Sequence, residues 1–289
     1  MTDSLSCPTH RHMKPFVAFV ALFGLMALGV TPALEAQSSV GSLYDKWQLD
    51  LSGAVVILGG SIRVDGAEGQ GTDINTDDTG VPREKFQPRA SVRWRPRHRH
   101  ELELGYQLVR RSNERTLDRD IVFGDSTFHV GADVNAKFRT DQAFLTYRYA
   151  FRARERSQLG VGVGVGVLPF KFELDVLGTG SNAVTSSGVT SFTGPTASLG
   201  VYGRWLLGER WYLESDIRGI AIKVDRIKAS VVEGNLAGRY FFSNRFAADL
   251  GYGISSIRLT VNPRESGKGF TGRIEYPLQH VRLGLVLTL

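Results

Sequence analysis

Cysteine is almost absent. The 289-residue chain has one, Cys7, and it precedes an apolar segment at 16–30. Arg11, His12 and Lys14 lie before that segment, and the small-residue stretch 31–37 follows it. A basic start, a short apolar core and small residues before a cut describe a secretory signal peptide. Residues 1–36 are therefore expected to be removed, with cleavage after Ala36 or, alternatively, Ala33; Met13 is an alternative start. Cys7 would leave with the signal, which excludes a disulfide framework and a thiolate metal centre in the mature chain. A helical span needs about 20 apolar residues, and no other run approaches that length. Charge of one sign is not concentrated either. Lys and Arg total 35 against 29 Asp and Glu, but the basic residues are scattered along the chain. No patch suited to nucleic acid results.

What the chain does have is alternation. Strict period-2 patterning marks strands with one apolar face. Trp47, Leu49, Leu51, Val55 and Ile57 share a face, as do Phe86, Ala90, Val92 and Trp94. Leu102, Leu104, Tyr106 and Leu108 follow, then Ala143, Leu145, Tyr147, Tyr149 and Phe151. Similar segments near 159–175, 196–207, 210–223, 230–242, 246–260 and 271–289 bring the expected count to ten strands, with 8 or 12 as alternatives. Short connections (96–100, 152–157, 206–210, 243–245) alternate with mostly longer ones (65–85, 113–133, 176–195, 262–269). The short link at 225–228 breaks the rule. This asymmetry is that of up-and-down barrels of the bacterial outer membrane. The expected organisation is a signal peptide at 1–36, a short periplasmic lead at 37–44 and an all-β antiparallel transmembrane barrel at 45–289.

Hairpin registers support the two faces. Trp94 opposite Leu102 puts Arg93 opposite Glu103 and Arg95 opposite Glu101. Phe242 opposite Phe246 puts Arg239 opposite Asp249. Trp205 opposite Trp211 would put Tyr202 opposite Glu214. One face collects apolar pairs and the other mostly opposite charges. The expected lumen face thus holds Asp50, Arg89, Arg93, Arg95, Glu101, Glu103, Arg148, Arg204, Glu214, Asp216, Arg218, Glu233, Arg239, Asp249 and Arg282. Its two signs nearly balance, as mutually neutralising charges in a poorly solvated interior must. Trp47, Trp94, Tyr149, Trp205, Trp211, Tyr240 and Phe246 lie on the apolar face near the short turns, where an aromatic girdle would meet the lipid headgroups. Aromatic plugs closing one end of a soluble barrel are the competing interpretation.

The run 159–167, LGVGVGVGV, places Val161, Val163, Val165 and Val167 on one face and Gly160, Gly162, Gly164 and Gly166 on the other. Its glycines recur every second residue with no helix after them, which excludes a GxGxxG nucleotide loop. The lumen-side glycines leave room, filled by neighbours such as Arg148 opposite Gly162 and Thr146 opposite Gly164, or else left as a passage.

In the last segment Val281, Leu283, Leu285, Leu287 and Leu289 alternate to the final residue. Here the chain resembles small single-chain outer-membrane β-barrels of the OmpA, OmpX and OmpW type, although it ends in Leu289 where that group usually has an aromatic residue. The resemblance implies insertion into the outer membrane of a Gram-negative envelope by the barrel-assembly machinery, which recognises the terminal strand.

Signals for chemistry are sparse. Asp73, Asn75, Asp77 and Glu84 approximate the spacing of a calcium loop, but the turn glycine is replaced by Asp78, and an acidic solvated loop is the preferred reading. Asp125, Ser126 and His129 gather nucleophile and base types in a segment that otherwise reads as a strand edge. His98 and His100 sit in an Arg-rich short turn. No catalytic constellation, cofactor site or nucleic-acid partner is expected. The sequence favours a barrel with a mainly filled polar lumen, serving a structural or surface-interaction role or a narrow solute passage. A lipid-modifying or proteolytic barrel enzyme and a soluble secreted ligand-binding barrel are the alternatives.

Overall fold

The computed structural model describes residues 43–66, 69–75, 84–176, 187–262 and 271–289. The expected signal peptide and residues 37–42 of the lead lie outside these. Every regular element among the described residues is a strand: β1 (Trp47–Leu58), β2 (Ser61–Val64), β3 (Ile74–Asn75), β4 (Glu84–Arg97), β5 (His100–Thr116), β6 (Ile121–Phe123), β7 (Ser126–Phe128), β8 (Asp133–Arg154), β9 (Ser157–Val176), β10 (Ser187–Leu206), β11 (Trp211–Val224), β12 (Ile227–Phe241), β13 (Phe246–Val261) and β14 (Gly272–Thr288). Ten of them form one antiparallel barrel in the order β1-β4-β5-β8-β9-β10-β11-β12-β13-β14, closed by pairing of β1 with β14. The first and last barrel strands meet at the short-turn rim, where Trp47 and Leu289 exchange backbone hydrogen bonds. Closure leaves these strands no free sheet edge at that rim, which is what a backbone in hydrocarbon requires.

Above the rim turns the registers are simple. Arg93 pairs with Glu103 and Arg239 with Asp249. The β10–β11 hairpin differs from the expected register by two residues: Trp205 lies opposite Leu213, and Arg204 opposite Glu214. The reason is turn length. Leu207 N–H donates to the Trp211 carbonyl, leaving a three-residue turn in which Gly208 takes φ +132°, a conformation that glycine adopts without a Cβ penalty. A shift of two keeps both faces unchanged.

The strands are longer than the alternation suggested. β8 and β9 have 22 and 20 residues, and partway along them the polarity of the two faces inverts. Low in β9 the valines point out and the glycines in. Above Pro169, Lys171, Glu173 and Asp175 stand on the outer face, while Phe170, Phe172 and Leu174 are buried inside. In β8 the outer face runs from Phe151 and Leu145 to Asp141, Arg139 and Lys137, and the inner face from Arg148 to Ala136 and Val134. Outward ion pairs Arg110–Asp141 (2.8 Å), Lys137–Asp175 (2.9 Å) and Lys171–Glu173 decorate this upper region. The apolar belt below it, residues 143–151 on β8, spans nine residues. At about 3.4 Å per residue and a tilt of about 40° that is roughly 21 Å, close to the ~25 Å band of outer-membrane barrels. The upper half therefore follows the pattern of a water-soluble barrel, with charges outside and an apolar core.

That core gathers Val134, Ala136, Phe170, Phe172, Leu174, Val261 and Ile274 from barrel strands with Ile62, Val64, Ile74, Leu117, Ile121, Phe123 and Phe128 from the connections. The β6–β7 hairpin supplies three of these, and Phe123 meets the Phe172 ring at 5.4 Å. Burying each large apolar side chain contributes about 1.5–3 kcal/mol, so the connections are held as a lid over the lumen. Among the described residues the wall has two seams. β4–β5 pairing stops at Arg89–Gln107, although β4 begins at Glu84 and β5 runs to Thr116. The second lies beside β10. β10 pairs with β9 along its whole length, but its pairing with β11 stops at Leu199–Gly219, although β10 begins at Ser187 and β11 runs to Val224.

Candidate functional site in the barrel lumen

Below the lid the lumen is stratified. At the base Leu43, Leu206, Tyr212, Phe241, Ala247 and Val286 form a small apolar cluster, with Tyr44 packed against it. Tyr44 Oη donates to the Arg154 carbonyl at 2.6 Å, so the end of the lead is anchored across the rim.

Above this plug lies a belt of buried charge. Glu101 accepts hydrogen bonds from Arg95, from Arg148 (2.8 Å) and from both terminal nitrogens of Arg204 (2.6 Å each). Arg204 is 0% exposed; it also reaches Glu214 at 3.2 Å and lies over the Tyr202 ring at 4.9 Å. Arg93 donates to Glu214 at 2.8 Å. Those two residues belong to β4 and β11, which are five places apart in a ten-strand ring, so this ion pair crosses the full width of the lumen. Glu103 is shared by Arg148, Arg93 (3.3 Å) and Arg89 (3.5 Å). On the other side Arg239 contacts Asp249 (3.4 Å) and Gln48 (3.1 Å), Asp50 lies 4.0 Å from Arg239, and Arg282 donates to Asp249 at 2.9 Å. Higher up, Arg218 faces Asp216 (3.2 Å) and Glu233 (3.3 Å). From base to mid-barrel, eight guanidiniums (Arg89, Arg93, Arg95, Arg148, Arg204, Arg218, Arg239, Arg282) stand against seven carboxylates (Asp50, Glu101, Glu103, Glu214, Asp216, Glu233, Asp249).

The Arg239–Asp249 contact can be isolated thermodynamically. A double-mutant cycle on Arg239→Met and Asp249→Asn, read by denaturant unfolding, should return a coupling of about 0.5–3 kcal/mol. Additivity of the two substitutions would mean that the pair does not interact.

The glycine run packs against this belt. A Cβ on Gly160 would meet Tyr202 at 2.5 Å, and one on Gly164 would meet the Ser198 hydroxyl at 2.6 Å, whereas at Gly162 the nearest atom is Arg148 Cγ at 3.4 Å. The register sets Arg148 opposite Gly162 and Thr146 opposite Gly164. Neighbouring side chains thus occupy most of the space that the glycines vacate. What they leave, between belt and lid, is a cavity of about 110 Å³, lined among others by Arg89, Phe144, Gly164, Ser198, Arg218 and His280.

On the outside, Trp47, Trp94, Trp211, Tyr240 and Phe246 are exposed near the rim, and Tyr149 is half-buried. Trp47 stacks on Trp94 at 5.8 Å and Trp211 meets Tyr240 at 5.0 Å. Trp205 departs from the expected girdle. It is only 3% exposed, and its ring occupies the space over Gly203, 2.2 Å from where a Cβ would stand.

The other candidates are not assembled. Ser126 pairs with Phe123 and Thr127 with Val122. Ser126 therefore shares the face of the buried Phe123 and Phe128, while His129 follows the opposite face with Thr127. His129 lies instead 3.5 Å from Asp120, whose carboxyl is held below its ordinary range by the Val130 N–H at 2.7 Å. Asp73 is engaged by Arg273 at 3.3 Å and Asn75 lies in β3; Asp77 and the Glu84 side chain are outside the described residues. His100 contacts the Tyr147 hydroxyl at 2.7 Å on the outer surface.

No family model matches the chain, and no curated protein does. Among solved structures it is similar to the outer membrane protease OmpT from Escherichia coli, at 10% identity and a TM-score of 0.53, over 86% of this chain and 98% of that one. The translocator domain of the autotransporter NalP from Neisseria meningitidis aligns at 13% identity, TM-score 0.40, over 95% and 98%. The Pseudomonas putida toluene transporter TodX aligns at 10% identity, TM-score 0.34, over 84% and 89%. The comparison supports outer-membrane barrels at large and does not single out the OmpA, OmpX and OmpW group. The fold of this chain is that of a bacterial outer-membrane β-barrel.

Proposed function

We propose that the mature chain is an integral outer-membrane protein, exported by the 1–36 signal and inserted by the barrel-assembly machinery. Its lumen is closed to solutes, and it acts as a structural or surface-interaction component through its protruding upper half. The observation that carries this reading is the Arg93–Glu214 pair, which bridges opposite walls of the barrel. Conduction would require it to part. Arg93 would keep Glu103 and Glu214 would keep Arg204, but each would lose its shortest charge-assisted bond in a buried setting, and such losses are costly. The apolar plug beneath and the apolar lid above support the same conclusion.

Planar-bilayer recording of the purified barrel tests the reading. No steady conductance step is expected at neutral pH. Stable ohmic steps, abolished by boiling the sample, would replace a structural role with a porin.

A further inference from the structure

The mid-barrel cavity carries features that a closed structural barrel does not need. We propose that it is a binding site for a short-chain carboxylate of about six non-hydrogen atoms or fewer.

Charge points to the sign of the ligand. Glu103 already serves Arg148 and Arg93, and Arg89 reaches it only at 3.5 Å. Arg89 instead lies over the Phe144 ring at 5.0 Å and lines the cavity. Of the two guanidiniums that line the cavity, Arg218 is held by Asp216 and Glu233, so Arg89, with its 3.5 Å contact to Glu103, is the less engaged. A buried cation of this kind is stabilised by a carboxylate, which a guanidinium grips with two parallel hydrogen bonds.

Polar groups on the wall point the same way. The hydroxyls of Thr140, Thr146, Ser255 and Tyr276 all line the cavity and have no hydrogen-bond partner among the described residues. Thr140 and Thr146 are more than nine-tenths buried. Unsatisfied buried hydroxyls cost free energy unless something occupies the space before them. The rest of the wall mixes apolar side chains, Phe144, Leu168 and Leu278 among them, with polar ones such as Gln107 and Asn235, and it includes the carboxylate Glu233. The apolar stretches accommodate a short hydrocarbon tail, and Glu233 in the wall disfavours multiply charged inorganic phosphate more than a singly charged carboxylate. Size sets the upper limit, because a cavity of about 150 Å³ holds benzene and this one is about 110 Å³. The cavity wall includes Ser198 and Gly219 beside the β10–β11 seam, which provides access from the side where plug and lid close the ends.

Butyrate is the probe, titrated into the full barrel folded in detergent micelles and followed by saturation-transfer NMR, with butanol and inorganic phosphate alongside. This readout needs no bilayer, so its outcome is independent of conductance. Saturable butyrate binding is expected, with neither butanol nor phosphate competing. Arg89→Gln should weaken it at least about tenfold through loss of the charge-assisted bonds, and Arg89→Lys should restore part of it. Ser198→Phe fills the cavity while leaving every charge in place and should abolish binding. It carries the test if the Arg89 variants do not fold. Absence of saturable binding to the unmodified barrel, binding unchanged by Ser198→Phe, or phosphate binding as tightly as butyrate would each overturn the proposal.

Discussion

Glu101→Ala should cost about 3–5 kcal/mol of folding stability, the range for removing one partner of a buried ion pair. The reason is specific to this site. Three arginines from three different strands, Arg95 on β4, Arg148 on β8 and Arg204 on β10, converge on that one carboxylate. Removing it leaves them facing one another, with Arg204 wholly enclosed. Chemical unfolding in lipid vesicles, read by the loss of heat-modifiable migration on gels, measures the cost. Pairing Glu101→Ala with Arg204→Met should recover part of the loss, because the second change withdraws one of the stranded cations. A cost under about 1 kcal/mol for the single variant would show that the belt is solvated and that these contacts are not formed in the membrane.

Val163→Arg should cost about 2–4 kcal/mol, the penalty for arginine on the lipid face near the bilayer midplane. Val163 is half exposed and lies midway along the outward valines of β9. Lys171 stands on the same face eight residues further along, about 26 Å along the strand at some 3.3 Å per residue. Arginine there should be harmless. Gly162→Ser should also be tolerated, since its Cβ meets nothing closer than Arg148 Cγ at 3.4 Å. Folding yield into vesicles across these three variants locates the lipid boundary. A harmless arginine at 163 beside a damaging serine at 162 would reverse the two faces of the wall.

The two faces were legible in the sequence because a strand has period 2 and the rim turns are short. Arg239 and Asp249 could be paired on paper because only a few residues separate their strands. The β10–β11 register was not legible in this way. Trp205 and Trp211 look like an opposed aromatic pair, and only the three-residue turn with Gly208 decides otherwise. The ring of Trp205 fills the notch at Gly203, which composition does not announce. The polarity inversion was written plainly in residues 168–175, LPFKFELD, where the apolar positions change parity. The period alone does not distinguish a strand leaving the bilayer from one that has slipped, and long loops were the simpler expectation. The Arg93–Glu214 bridge and the cavity were beyond reach. They join residues 121 positions apart in sequence, or walls contributed by non-adjacent strands, and no local pattern encodes such meetings.

The inversion of polarity along β8 and β9 also bears on how the barrel reaches its place. Its upper strand ends carry Arg139, Lys137, Lys171, Glu173 and Asp175 on their outer faces, and these must cross the hydrocarbon before any strand is seated. A charged side chain loses its water during that passage and regains it only on the far side. With the short-turn rim toward the periplasm, as the proposed insertion has it, these residues add to the barrier to insertion although, once seated, they do not touch lipid. On that reading, charges in the upper halves of the strands weigh on the speed of delivery, while the belt in the lower halves holds the finished barrel together.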